Sequence, residues 1–360
     1  MTILKILLLP FSFLFGLIIL LRNLIYDKNF LSVTVFQIPV ISIGNLTTGG
    51  TGKSPMTEYL IRLLSVRYKI ATLSRGYGRK TNGFHWVENS SPTSEVGDEP
   101  KMFKTKFPEV LVSVDEKRVS GIKKILSQFP TVQVILLDDA FQHRAIKPSC
   151  NILLMDYKDI FKVDFMLPSG NLREWKSGKN RADILVVTKC PPVFSPIEER
   201  RFEKQIKKSK NQKLFFSYLK YGDLISADSS IRHPMFNKEY YFSRDYSVLL
   251  FSGIANPKPL YDYLEDNAKE VVKLRFMDHH DYTYMDLKLV KEKFDTIVNK
   301  NKIIVTTEKD FIRINNSEFD EYLHSLPLFI LPVEVAFHSG SQGDFDNAIS
   351  AHLNTFNSTV

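Results

Sequence analysis

Cysteine is scarce: Cys150 and Cys190 are the only two in 360 residues, far apart and without a CxxC or Cys/His spacing. A disulfide framework and a cysteine zinc cluster are thereby excluded, and both side chains read as small buried hydrophobes. Internal repeats and low-complexity stretches are missing as well. Neither charge sign dominates strongly: 48 Lys and Arg against 40 Asp and Glu leave a net +8. That excess suits an anionic substrate, an anionic membrane surface or nucleic acid. Zinc spacing, an RRM-type aromatic motif and an arginine-rich tract are all absent, so nucleic acid drops out as a partner. What remains, 44% hydrophobic and 24% charged residues, is the composition of a globular chain of about two domains.

The composition is uneven. Ile3 to Leu21 is an apolar run broken only by Lys5, Pro10, Ser12 and Gly16, about the length of a membrane-crossing helix. It predicts a membrane-associated helix over residues 1–25, either spanning the bilayer or lying in one leaflet with Lys5 and Arg22 at the headgroups. Arg22-Asn23-Leu24-Ile25-Tyr26 offers no small-residue cleavage site. Arg22 and Lys28 just after the run favour a cytoplasmic location for the rest of the chain.

Beyond this segment, short β-prone runs alternate with helical periodicity, the pattern of a parallel sheet with crossover helices. Strands are expected at Val40–Ile43, Lys69–Leu73, Val110–Val112, Val132–Leu137, Asn151–Asp156 and Ile184–Thr188. A helix over Asp115–Phe129 sets Val119, Ile122, Ile125, Leu126 and Phe129 along one face, and the charged segment Glu198–Gln212 reads as a solvated helix. Residues 30–212 therefore form an α/β core. The aromatic stretch 213–245, with a Gly-Asp pair and a His-Pro, reads as a β-rich linker. A second, smaller α/β domain over 246–360 is expected to contain strands Val248–Phe251, Val271–Arg275 and Lys302–Thr306 and helices Lys258–Asn267 and Tyr284–Lys300.

The densest local signal is Gly44-Asn45-Leu46-Thr47-Thr48-Gly49-Gly50-Thr51-Gly52-Lys53-Ser54 after an apolar strand, a Walker A type phosphate loop in a P-loop NTPase-like sheet. Glycines let the backbone N–H groups from Thr48 to Ser54 converge on phosphate oxygens, Lys53 reaches the β and γ phosphates, and the Ser54 hydroxyl can hold Mg²⁺. The strict pattern places glycine at 47, where this chain has Thr47. Val132-Gln-Val-Ile-Leu-Leu137 closes on Asp138-Asp139, carboxylates suited to Mg²⁺ at a strand's carboxyl end. Guanine readers carry Asn-Lys-x-Asp after a later strand. Here that stretch reads Thr188-Lys189-Cys190-Pro191, which leaves ATP as the nucleotide.

Taken in order, Gly44-Asn45-Leu46 with the phosphate loop, Ser74-Arg75-Gly76-Tyr77-Gly78, Gly97-Asp98-Glu99-Pro100, Asp138-Asp139-Ala140-Phe141-Gln142-His143, Gly170-Asn171-Leu172-Arg173-Glu174, Gly253-Ile254-Ala255-Asn256-Pro257, Asp278-His279-His280 and Thr307-Glu308-Lys309-Asp310 closely resemble the tetraacyldisaccharide 4′-kinase family. Ser54 stands where the family commonly has Thr, and Ala140-Phe141 where Gly-Leu is usual. The resemblance implies transfer of the ATP γ-phosphoryl group to the 4′-hydroxyl of an acylated glucosamine disaccharide 1-phosphate lipid, at the inner membrane of a Gram-negative bacterium with the catalytic domains on the cytoplasmic side. No obligate protein partner is evident. A membrane-anchored P-loop switch or ATPase acting on a protein partner is the alternative.

Phosphoryl transfer needs phosphate positioning, a metal, charge neutralisation and a group that orients the attacking hydroxyl. The resemblance implies Asp98 as that base, in a loop between strands, paired with His279 in the second lobe; the dyad would assemble on closure, excluding water. His280 is the alternative partner, and a carboxylate capping a helix is the plain reading of Asp98 alone. Arg75, Glu99, Gln142, His143 and Arg173 are substrate-binding candidates, the arginines because a guanidinium forks onto phosphate. His143 reads equally as a structural histidine. Arg118, at a helix start, is expected to be exposed, and Thr307–Asp310 is either a structural turn or a nucleotide contact.

Overall fold

The structure, a computed structural model, describes residues 3–228, 237–315, 318–338 and 340–359. Its strands are β1 (Val40–Asn45), β2 (Ile70–Ser74), β3 (His85–Trp86), β4 (Leu111–Val114), β5 (Val134–Asp138), β6 (Cys150–Asp156), β7 (Ile184–Thr188), β8 (Lys213–Tyr221), β9 (Ile225–Ser226), β10 (Ser247–Ser252), β11 (Glu270–Arg275), β12 (Lys302–Thr307), β13 (Leu328–Leu331) and β14 (Val333–Phe337). They fall into two compact units. One comprises Met1–Lys220 with Val335–Val360, the other Tyr221–Glu334.

The first unit is built on a sheet of order β14-β8-β7-β6-β1-β5-β2-β4-β3. From β8 to β4 every recorded pairing is parallel, while β3 runs antiparallel to β4. Strands β1, β2, β5 and β7 are buried at every position, as a parallel sheet covered on both faces requires. The helix Arg118–Gln128 packs Ile122 and Ile125 against Leu73, Ile135 and Leu137. It starts three residues later than expected because the Asp115 carboxylate accepts from the Lys117 N–H at 2.8 Å and turns the chain first. Parallel register sets Ile43 of β1 beside Asp138 of β5, so the loop leaving β1 and the acidic pair leaving β5 emerge side by side.

The apolar N-terminus forms two helices, Ile3–Leu7 and Leu9–Asp27, with Pro10 in the first turn of the second, where a missing N–H costs nothing. The helix runs to Asp27, six residues past the end of the apolar run. At the other terminus, Gln342–Thr359 buries Phe345, Ala348, Ile349 and Leu353 within the first unit.

The second unit has the order β11-β10-β12-β13-β9, with β11, β10, β12 and β13 parallel and β9 antiparallel to β13. Alternation along β10 sends Leu249 and Phe251 to one core with Leu287, Val290 and Phe294, and Val248 and Leu250 to another with Leu260 and Leu264. The helix from Tyr284 stops at Asp295 rather than Lys300, since Lys302 Nζ takes up the Phe294 and Ile297 carbonyls at 2.9 Å each. The unit's limits differ from those expected. β8 belongs to the nine-stranded sheet, β9 to the second, and residues 335–360 return to the first unit, so 213–245 is no linker and the smaller unit ends at Glu334. The His233-Pro234 pair lies outside the described residues.

Candidate functional site

The loop after β1 turns through Gly49 (φ 99°) and Gly52 (φ 84°), left-handed positions that favour glycine, and delivers Lys53 and Ser54 to the start of the helix Lys53–Ser65. Thr47 needs no such freedom, because it forms an extended bridge with Leu172; this is why the strict glycine can be absent. Four tethers shape the loop. Asn45 Nδ2 donates to Thr51 Oγ1 at 2.8 Å, Thr188 Oγ1 donates to the Thr51 carbonyl at 2.8 Å, the Thr48 N–H donates to the Asn171 carbonyl at 2.7 Å, and Lys189 Nζ donates to the Gly50 carbonyl while pairing with Asp156 at 2.9 Å. The Thr188-Lys189 pair, read from sequence only for what it lacked, therefore secures the loop.

Around Lys53 and Ser54 stands an acidic cluster. Ser54 Oγ donates to Glu99 Oε1 at 2.5 Å, Thr57 Oγ1 donates to Asp138 Oδ1 at 3.2 Å, and Asp139 lies 3.7 Å from Lys53 Nζ. Arg173 Nη1 contacts both Asp139 oxygens at 3.0 Å. Asp139 itself is left-handed, φ 47°, which turns its carboxylate out of line with Asp138. Burial first, then the charges of Glu99 and Asp139, raise the Asp138 carboxyl to about 7, with Lys53 and the Thr57 hydroxyl acting the other way. A buried carboxylate raised this far, with two others beside it, is a site short of positive charge. The donor set, one hydroxyl and three carboxylates, is all hard oxygen and fits Mg²⁺.

Arg118 is not exposed, as its place at a helix start suggested, but 3% accessible. Its guanidinium donates to the Asp115 carbonyl at 2.9 Å and the Asp138 carbonyl at 3.4 Å, clamping the end of β5 from behind. Burial lowers its basicity to about 10, and Asp138 and Asp139 work against that fall; it stays charged. No local motif marks it, since its partners are backbone carbonyls, one of them twenty residues away.

Asp98 is half-buried and opens the helix Asp98–Lys106 rather than lying in a loop between strands. Gly97 before it has φ 89°, and an added Cβ would sit 3.0 Å from the Tyr77 carbonyl; glycine alone fits there, against the Ser74–Gly78 block. Glu99 is grouped with the Ser54 hydroxyl, on the metal side of the cluster. Arg75 is exposed after β2. Gln142 Nε2 donates to the Asn45 carbonyl at 2.8 Å and its own carbonyl accepts from Arg22 at 3.1 Å, so it braces the loop from below. Burial, with Arg118 and Arg22 nearby, lowers His143 to about 4 and keeps it neutral.

His279 belongs to the other unit. It occupies a left-handed position, φ 57°, its side chain is 42% accessible, and Nδ1 lies 3.2 Å from Arg313 Nη2. His280 is committed elsewhere: its Nε2 meets Asp286 at 3.1 Å within the capping box of Tyr284–Asp295, and its ring stacks on Phe276.

The profile of the family described as Tetraacyldisaccharide-1-P 4′-kinase matches residues 4–354. A tetraacyldisaccharide 4′-kinase of Flavobacterium johnsoniae is 46% identical over 329 residues, covering 91% of this chain and 93% of its own length. That of Bacteroides thetaiotaomicron is 41% identical, covering 97% and 94%. Among solved structures, the "apo" form of LpxK from Aquifex aeolicus in complex with ATP superposes with a TM-score of 0.74 at 31% identity, over 98% of this chain and 100% of that one. Match length, identity and fold agree, and the chain belongs to the tetraacyldisaccharide-1-P 4′-kinase family.

Proposed function

We propose that the chain transfers the γ-phosphoryl group of ATP to the 4′-hydroxyl of a tetraacylated glucosamine disaccharide 1-phosphate, a step of lipid A biosynthesis. The carrying observation is the convergence of Lys53, Ser54, Glu99, Asp138, Asp139 and Arg173 at the mouth of one glycine loop. Loop N–H groups and Lys53 hold the phosphates. Ser54, Asp138 and Glu99, with Asp139 near, would hold Mg²⁺, which would supply positive charge against the phosphate oxygens. Arg173 shares Asp139 with Lys53 and so sets how far that carboxylate is neutralised before nucleotide arrives. Asp98 takes the proton of the attacking hydroxyl and His279 orients Asp98. Incubating the purified protein with γ-labelled ATP and the disaccharide 1-phosphate in detergent should place label in the lipid. Label recovered only as inorganic phosphate would remove the kinase reading and favour a nucleotide switch.

Membrane attachment is supported by how the helix Leu9–Asp27 is held. Ser12 Oγ accepts from the Ser169 N–H at 2.8 Å, the Gly16 carbonyl from Trp175 Nε1 at 3.0 Å, Asn23 donates to Glu174 at 2.7 Å and Asp27 pairs with Arg144 at 2.6 Å. At 100° per residue these four positions fall on one stripe about 60° wide. Phe11, Leu14, Ile18, Leu21 and Ile25 lie on the opposite side and are 40–62% accessible. A helix docked along its length by polar contacts cannot also be ringed by lipid. We propose that it lies in one leaflet, apolar side down, with the globular part on the cytoplasmic face.

A further inference from the structure

The Thr307–Asp310 block takes no part in the chemistry above, yet its aspartate is wholly buried. Asp310 Oδ1 accepts from the Gly253 N–H at 3.0 Å, from Tyr282 Oη at 3.0 Å and from Arg313 Nη1 at 3.3 Å, while Oδ2 accepts from Thr307 Oγ1 at 2.7 Å. Arg313 is therefore fixed at its Nη1 end, which also donates to the Gly253 carbonyl at 3.2 Å. The same carbonyl accepts from the His279 N–H at 3.2 Å. Gly253 is held close on all sides, since an added Cβ would lie 2.8 Å from the Met277 carbonyl. The outcome is a rigid chain, Thr307 to Asp310 to Arg313, ending with Arg313 Nη2 at 3.2 Å from His279 Nδ1.

A guanidinium has N–H donors and no acceptor. The nitrogen it faces must present a lone pair, so Nδ1 carries no hydrogen and the ring's hydrogen resides on Nε2. We propose that Arg313, anchored by Asp310, is a positioning residue that fixes His279 as its Nε2–H tautomer and so makes it a hydrogen-bond donor. An Nε2–H can orient a carboxylate but cannot remove a proton from a hydroxyl, and Nδ1 is occupied. On the proposed kinase reading, from which this inference takes the role of His279, the base must then be the aspartate of the pair. Asp278, 4.0 Å from Nε2, is the acidic neighbour on the same turn, and Arg313 reaches the ring from its other side.

The test uses the full-length chain in detergent, labelled with ¹⁵N-histidine, as wild type, Arg313→Met, Arg313→Lys and His279→Ala. The chain has eight histidines, and the resonances lost in His279→Ala identify those of residue 279. Wild type should show protonated Nε2 and bare Nδ1. Arg313→Met should show a mixture of tautomers, with kcat lowered on the order of tenfold to a hundredfold and KM for ATP within twofold of wild type. Arg313→Lys, which keeps a donor of the same charge, should recover part of both; it also serves if the methionine variant does not fold. A single unchanged tautomer in both variants overturns the proposal. So does full turnover in Arg313→Met where His279→Ala is crippled. Full turnover in His279→Ala would instead remove His279 from the dyad and leave the spectra to decide the tautomer.

Discussion

Acidification should weaken this protein through one histidine more than through its others. His143 is lowered from 6.5 to about 4, first by burial, then by Arg118 and Arg22, with Asp115 acting the other way. Once unfolded, the ring recovers its ordinary affinity for protons. Between pH 6.5 and 4 the unfolded chain binds a proton that the folded chain refuses, so stability falls as pH falls through that window and levels out below it. The full shift corresponds to a ceiling of about 3 kcal/mol. The ring is only part-buried, and solvent screening brings the expected loss to about 1–2 kcal/mol. Urea unfolding of wild type and His143→Gln, in the same detergent at pH 7.5, 6.0 and 4.5, isolates it, because all other titrations are common to both. The stability difference between them should move by that amount in favour of the glutamine variant as pH drops, at constant m-value. Parallel curves across the range would refute the reasoning and would show His143 able to carry charge beside Arg118.

Asp98→Asn should lower kcat by about a hundredfold or more with KM for ATP little changed, measured as label transfer to lipid. Lys53→Ala should act on the nucleotide side instead, and an unaltered ATP dependence in that variant would contradict the role given to it. Gly16→Ala places a methyl 2.6 Å from the Trp175 ring and 3.2 Å from Met166. Overpacking of roughly 1–3 kcal/mol should exceed the roughly 1 kcal/mol gained in helix propensity, and Trp175 fluorescence should report the displaced ring. Arg118→Met leaves the Asp138 and Asp115 carbonyls without their donor beside three carboxylates; loss of about 3 kcal/mol or more is expected, and a urea midpoint equal to wild type would sink that account.

Much of this was readable along the chain. Strands β1, β2, β5 and β7 are mostly apolar because both faces are covered, and the phosphate loop and Asp138-Asp139 are written locally at the ends of β1 and β5. What escaped was decided by partners distant in sequence. Arg118 looks like any helix-start arginine until the β5 carbonyl behind it is seen. Asp98 looks like a loop residue because its helix carries five charges in nine positions, and only Pro100, Met102 and Phe103 turn inward. β14 has no signature of its own; its place beside β8 depends on a pairing across more than a hundred residues. The family blocks located His279 and Asp310, but not that one is wired to the other.

The return of the chain to its first unit bears on how the protein is made. Tyr59, nearly two turns into the helix that opens with Lys53, donates to Asp346 at 2.6 Å, and its ring meets Phe337 and Phe345 edge-on. Those residues leave the ribosome after the whole second unit. The Walker-type helix, translated before it, therefore lacks its outer brace until the whole of 221–334 has been synthesised, and the nucleotide-binding part is completed only after the second unit. A nascent chain stalled anywhere in the second unit would hold a phosphate loop whose helix is still open on one side. Trimming the C-terminal helix of the finished protein would likewise injure ATP binding at the opposite end of the sequence.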